Sequence, residues 1–83
     1  MTMEEIYTVC KLIFPDREVV RFNEECIYID WKYYGFPRRI WIEQFSDCIS
    51  IDVSAGRLPS WFTSRVNYTY TSGRLRIFKG FKD

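Results

Sequence analysis

The first segment of the chain has the apolar spacing of an amphipathic helix. Apolar residues recur at intervals of three and four positions from Ile6 to Ile13, which lines them along one helical face. Thr2 can accept the hydrogen bond of an N-cap, and the ring of Pro15 prevents the helix from continuing. We therefore predict a helix that begins after Thr2 and ends near Phe14.

After the helix, apolar and polar residues alternate with a period of about two, which predicts β-strands. The predicted strands cover residues 18–22, 26–33, 38–45, 48–54, 63–70 and 74–81. The start near residue 63 is the least defined, because Ser60 could also cap a short helical turn. The pattern predicts a single α+β domain, residues 1–83, with the N-terminal helix packed on one face of a five- or six-stranded antiparallel meander sheet.

The segment "WKYYGFPRRIWIE", residues 31–43, has the pattern of a β-hairpin. Its glycine and proline favour a four-residue loop over residues 34–37. A hairpin closed by that loop places Trp31 near Ile40, on the face that carries the isoleucines. We therefore predict that Trp31 belongs to the core.

Trp41 has the opposite parity to Ile40 and faces the same way as Tyr28, which places both on the open face of the sheet. Trp, Tyr and Arg are the residue types that carry most binding energy at protein interfaces. We predict a partner-binding surface made of Tyr28, Arg39 and Trp41, flanked by Tyr34, Phe36 and Arg38 from the loop, with Arg74 and Arg76 from the last strand. In the alternative interpretation, Tyr28, Phe45 or residues 58–62 cover Trp41 as a small second cluster.

Charge is balanced overall but unevenly distributed. The 83 residues are 47% hydrophobic and 19% aromatic, and their formal net charge is +1. Residues 1–30 carry seven acidic and three basic side chains, whereas residues 53–83 carry six basic and one acidic. Such a dipolar chain can steer a partner or pair with a second copy as a homodimer, unless its two ends neutralise each other in the fold.

Several kinds of chemistry lack their usual residues. The chain has no histidine, and Cys10, Cys26 and Cys48 form no Cys-x-x-Cys pair, so we expect no metal, no cofactor and no nucleophilic triad. Three carboxylates on the open face offer acid/base work or Mg²⁺ binding as an alternative, but we expect them to pair with nearby cations: Asp30, Glu43 and Asp52 with Lys32, Arg39 or Arg76. We therefore predict that the protein is not an enzyme.

The remaining function classes are binding functions. An odd number of cysteines without a signal peptide or a membrane-spanning stretch predicts reduced thiols and a cytoplasmic protein that does not bind membranes. We expect a protein partner, and one hypothesis is a virus- or plasmid-encoded inhibitor that blocks a larger host machine, of the anti-defence type, in the host cytoplasm. The alternative is a single-stranded nucleic-acid platform in which Tyr28 and Trp41 stack on bases while arginines contact phosphates.

Overall fold

The N-terminal helix has the predicted bounds. In the computed structural model, which describes residues 1–83, helix α1 spans Met3–Ile13. The Thr2 hydroxyl accepts a hydrogen bond from the backbone N–H of Glu5, and the Glu5 carboxylate accepts one from the backbone N–H of Thr2. This reciprocal pair is a capping box, which satisfies two otherwise unpaired N–H groups at the helix start.

The rest of the chain forms an open six-stranded antiparallel sheet, so the predicted α+β fold class is confirmed. Its elements are β1 (Glu18–Asn23), β2 (Cys26–Tyr33), β3 (Phe36–Gln44), β4 (Ile49–Val53), a short helix α2 (Ser60–Thr63), β5 (Val66–Tyr70) and β6 (Arg76–Phe81). The first four strands form a meander, and β6 lies between β4 and β5 in the order β1-β2-β3-β4-β6-β5. Strand β5 is therefore an edge strand, like β1.

The core lies on the side of the sheet that α1 covers. The central strands supply side chains that are almost completely buried, namely Ile27, Ile29, Ile40, Ile42 and Ile51. Helix α1 contributes Met3, Ile6 and Cys10 to the same cluster. Burying each isoleucine contributes roughly 1.5–3 kcal/mol, so this face is where most of the stability arises. Neither helix has the length and apolar character that a membrane span requires.

The loop of the β2–β3 hairpin is shorter than predicted. Its turn contains only Tyr34 and Gly35, and Phe36 already belongs to β3. Both turn residues have positive φ, +50° and +83°, as a type I′ turn requires. This turn matches the right-handed twist of the two strands, so the hairpin closes tightly and the predicted four-residue loop is wrong.

The shorter turn shifts the register of the hairpin by two residues. Trp31 lies opposite Arg38, and Ile29 lies opposite Ile40. Because the shift is an even number, the side chains that the sequence assigned to a face of the two strands, such as Trp31 and Trp41, keep that face. Trp31 does lie on the core side, but it is half-buried at the periphery rather than inside.

Residues 60–63 form the helical turn α2, so the predicted strand start near residue 63 is wrong and β5 begins at Val66. The turn directs Phe62 into the core, where it is completely buried. The neighbouring Trp61 ring contacts Phe14 and Trp31, with centroid distances of 5.3 and 5.4 Å. Burial of these large rings outweighs the β-propensity of the flanking threonines and valine.

Candidate functional site

The β2–β3 hairpin ends in a cluster of exposed side chains, which we call the hairpin tip: Tyr33, Tyr34, Phe36 and Arg38. Three large aromatic residues lie within four positions: Tyr33 is 54% exposed, Tyr34 86% and Phe36 66%. The Tyr33 and Tyr34 rings meet edge to face, 4.6 Å apart, and the Arg38 guanidinium lies 5.5 Å from the centre of the Tyr33 ring. A cluster of exposed aromatic side chains at one projecting point is unusual on a protein surface and marks a candidate interaction site.

Tyr34 occupies a backbone conformation that does not suit its side chain. Its φ of +50° is in the left-handed region, where a residue other than glycine costs roughly 1–3 kcal/mol. Asn or Gly would fill this turn position at lower cost. The Tyr34 ring contacts the Tyr33 ring and is otherwise exposed. The strained residue therefore carries the most exposed aromatic ring of the chain, and the fold gains little from it.

A groove adjoins the hairpin tip on the α1 side of the sheet. Its volume is about 310 Å³, and its walls are the hairpin and the loop of residues 55–59. Trp31, Tyr33 and Arg38 line one wall, while Arg57 and Leu58 line the other. The groove therefore presents apolar surface and two cations beside the exposed rings.

A second group, which we call the open-face patch, lies on the opposite side of the sheet and contains Phe22, Tyr28, Arg39 and Trp41. Tyr28 and Trp41 are direct cross-strand neighbours on β2 and β3. The Arg39 guanidinium lies 3.8 Å from the centre of the Tyr28 ring and 6.0 Å from that of Trp41. Phe22 extends the patch onto β1, with its ring centre 6.2 Å from that of Tyr28.

Arg39 is held in this patch by a carboxylate. Its Nε and Nη2 donate to Oδ1 and Oδ2 of Asp30 over 2.6 and 2.9 Å. These hydrogen bonds raise the pKa of Arg39 above its usual value. The predicted pairing of open-face carboxylates with cations is thus confirmed for Asp30, and Asp52 also lies 4.0 Å from Arg76.

A shallow groove of about 440 Å³ runs beside the open-face patch. Trp41 and the paired Asp30 and Arg39 line it together with Glu18 and Lys32. Arg38 lines it as well, so two acidic and three basic side chains surround the groove and leave little net charge. Trp41 itself is half-buried, and the Trp61 ring that was a candidate to cover it lies instead against Phe14 and Trp31.

The structure does not bring all eight predicted site residues together. Tyr28, Arg39 and Trp41 meet in the open-face patch as predicted. Phe36 and Arg38 have the parity of Ile40, so they leave the sheet on the α1 side, although Arg38 also lines the groove that contains Trp41. The predicted single surface is therefore two surfaces, because the short turn makes these residues part of a strand with fixed alternation.

Arg74 and Arg76 lie elsewhere than the sequence indicated. Arg74 belongs to the turn before β6, with φ +65° and its N–H donated to Thr71. Arg76 has the parity of Phe78, a core residue, and its cross-strand partners are Ile51 and Tyr70. The prediction that both arginines project from the open face is wrong, because Phe78 rather than its neighbour Ile77 occupies the core position.

The sequence interpretation overlooked two members of these surfaces, Phe22 and Tyr33. A signal for Phe22 was present, since it follows Val20 by two positions and so shares the face of Val20, the cross-strand partner of Tyr28. Tyr33 follows the parity of the core residues Ile27 and Ile29, and only the length of the turn decides that it lies beyond the core.

The three cysteines are free thiols in different surroundings. Burial raises the pKa of Cys10 to about 12. Desolvation also raises the pKa values of Cys26 and Cys48, and the neighbouring charges of Glu43 and Asp47 add to the respective effects. No group of three or more Cys, Asp or Glu side chains is arranged to hold a metal ion.

Comparison with known proteins identifies no relative of this chain. No protein-family model matches the chain, and no curated protein or solved structure is significantly similar to it. Functional inference therefore rests on the two surfaces described above.

Proposed function

We propose that this protein is a small interaction module that binds another protein through the hairpin tip. The observation that carries the proposal is Tyr34, which is 86% exposed and has a positive φ. Strained residues that contribute little to the fold are concentrated at functional sites, where their cost is retained for the sake of function. Tyrosine is also a typical interface hot spot, because its rigid ring has a large apolar area and a polar end.

The shape of the tip favours insertion into a cleft of the partner. Tyr33, Tyr34 and Phe36 surround a two-residue turn, so the projecting end is narrow. The groove beside it, lined by Arg38, Arg57 and Leu58, can receive the rim of that cleft. Steric blocking of a larger protein is the mode of action that we propose, since an inhibitor of this kind acts by contact and requires no catalytic residue.

The alternative of a single-stranded nucleic-acid platform has less support. On the open face, the guanidinium of Arg39 is already paired with Asp30 in a bidentate geometry. The phosphate contacts expected of Arg74 and Arg76 also lack support. Arg74 lies in a turn, and Arg76 has the parity of the core residue Phe78 rather than that of the open face. A platform of this kind needs cations free to bind phosphates beside its stacking rings.

Affinity capture with and without nuclease tests the choice between these two functions. The immobilised protein is incubated with lysate of the cells that produce it, and retained proteins are quantified by mass spectrometry. The proposal expects a retained protein whose amount is unchanged by nuclease treatment. Retention that disappears with nuclease, or salt-sensitive retention of nucleic acid alone, would support the platform instead.

A further inference from the structure

The two edges of the sheet differ in how well they are protected against pairing with another strand. Strand β1 carries Glu18 and Arg21, and the Arg21 side chain donates to the backbone oxygens of Asn23 and Glu24. Strand β5 reads Val-Asn-Tyr-Thr-Tyr and contains no charged residue and no proline. Natural proteins protect exposed edges with such charges and prolines, so β5 is the unprotected edge.

The free backbone groups of β5 can be assigned from its hydrogen bonds to β6. The Arg65 carbonyl accepts from Lys82, and the Thr71 N–H donates to Leu75, so both ends of the strand bond toward β6. Backbone groups alternate in direction along a strand, and the irregularity in this pair is an extra residue in β6, not in β5. Val66, Tyr68 and Tyr70 therefore direct their N–H and C=O groups away from β6.

These outward groups have no partner within the chain. None of the hydrogen bonds outside the regular ladders involves Val66, Tyr68 or Tyr70. A groove of about 400 Å³ adjoins the strand, lined by all three residues together with Thr63 and Lys82. Val66 is completely buried, so the accessible part of the edge is Tyr68 and Tyr70, which have room beside them for the side chains of an added strand.

Charge around this edge is predominantly positive. Residues 64–83 carry five basic side chains and one acidic one, namely Arg65, Arg74, Arg76, Lys79 and Lys82 against Asp83. Arg65 directly precedes β5 and is exposed, as is Arg74 in the turn after it. Arg76 lies 5.6 Å from the centre of the Tyr70 ring but is also within 4.0 Å of Asp52, so the exposed cations are the ones open to a ligand. An uncharged edge between cations favours a ligand whose side chains are acidic.

We propose that β5 binds an extended acidic segment of a partner protein, which joins the sheet as a seventh strand. Main-chain hydrogen bonds to the accessible residues Tyr68 and Tyr70 supply affinity, and contacts with the flanking cations select acidic side chains. This site is distinct from the hairpin tip and does not depend on it. A second copy of the chain fits less well, because pairing two β5 edges brings Arg65 of one copy toward Arg74 and Arg76 of the other.

Peptide titration followed by NMR tests the proposal. The probes are peptides of about nine residues, long enough to pair along the whole of β5: alternating Glu and Thr, and alternating Lys and Thr. The Glu/Thr peptide is expected to shift the amide resonances of Tyr68 and Tyr70 and to slow their hydrogen exchange at least about tenfold. The Lys/Thr peptide is expected to do neither.

Two variants separate edge pairing from simple charge attraction. Tyr70→Pro removes one outward N–H without removing a bond to β6, and proline is tolerated at such edge positions. Its matched control, Tyr70→Val, loses the ring but keeps the N–H. We expect Tyr70→Pro to weaken binding of the Glu/Thr peptide at least about tenfold and Tyr70→Val to leave it within about threefold.

A modified peptide keeps the test decisive if Tyr70→Pro fails to fold. A Glu/Thr peptide that is N-methylated at alternate residues keeps its charge but loses the bonding edge, so it should not bind the wild-type protein. Equal binding of this peptide, equal binding of the Lys/Thr peptide, or self-association through β5 would each overturn the proposal. Loss of binding at the hairpin tip leaves this result unchanged, so the two proposals can fail separately.

Discussion

Arg39 and Asp30 face each other across β2 and β3 and form a bidentate ion pair, and the same guanidinium stacks on Tyr28. The two side chains are 39% and 28% exposed, so solvent screens part of their attraction. A double-mutant cycle with Asp30→Asn and Arg39→Gln should give a coupling free energy of about 0.5–1 kcal/mol at low salt. Urea titrations of the four proteins measure it, and a coupling that does not decrease at high salt would contradict this interpretation.

Phe62 and Trp41 should differ strongly in their contribution to stability. Phe62 is completely buried, so Phe62→Ala should lower the free energy of unfolding by about 3–5 kcal/mol. Trp41 is half-buried on the open face, and Trp41→Ala should cost about 1 kcal/mol or less. Trp31→Ala, which removes contacts at the periphery of the core, should lie between them. Equal losses for Phe62→Ala and Trp41→Ala in urea unfolding would show that Trp41 belongs to a core.

The capping box at the start of α1 should depend on pH through Glu5. Hydrogen bonds from Thr2 lower the pKa of Glu5 below its model-compound value of 4.5. A lowered pKa in the folded state means that the carboxylate stabilises the fold above that value, and the contribution is lost as the pH falls through the lowered pKa. Wild type should therefore melt at a higher temperature than Glu5→Gln at neutral pH, and the difference should shrink as the pH falls through the lowered pKa. A difference that persists in acid would mean that the charge of Glu5 is not its cause.

The cysteines should react with iodoacetamide in an order set by their surroundings. Cys10 is completely buried and its pKa is raised to about 12, so almost no thiolate is available to react. Cys48 is only partly buried and should react first. Mass spectrometry after timed labelling gives the order, and labelling of Cys10 should require denaturant. Labelling of Cys10 at the rate of Cys48 in the native protein would contradict the position of Cys10 under α1.

Local signals in the sequence were sufficient for much of this fold. Thr2 and Pro15 define the helix ends, and period-two alternation gives β2 with its observed bounds. The turn at Tyr34 was not predictable in the same way, because a tyrosine with positive φ has no favourable local signal. Pro37 favoured a loop over a strand. Phe36 and Arg38 were therefore expected in the loop, whereas they belong to β3 and lie on its α1 side.

Other differences arise where tertiary packing overrides local preference. In β6, the adjacent apolar residues Ile77 and Phe78 give two possible parities, and the larger ring occupies the core. That choice places Arg76 among the partners of Tyr70, which no local pattern could determine. At residues 60–63, the sequence favours a helical turn and a strand about equally. Burial of Phe62 in the core decides for the helical turn α2.

The hairpin-tip proposal is tested most directly by Tyr34→Asn, measured for both stability and partner capture. Asn suits a positive φ, so this variant should be more stable than wild type by about 1 kcal/mol in urea unfolding. Leu12→Gln, which removes an exposed apolar side chain from α1, is the matched control. In nuclease-treated lysate, Tyr34→Asn should retain at least about tenfold less of the partner than wild type, and Leu12→Gln should retain as much. Capture by Tyr34→Asn at the wild-type level would contradict the proposal that the hairpin tip is the binding site.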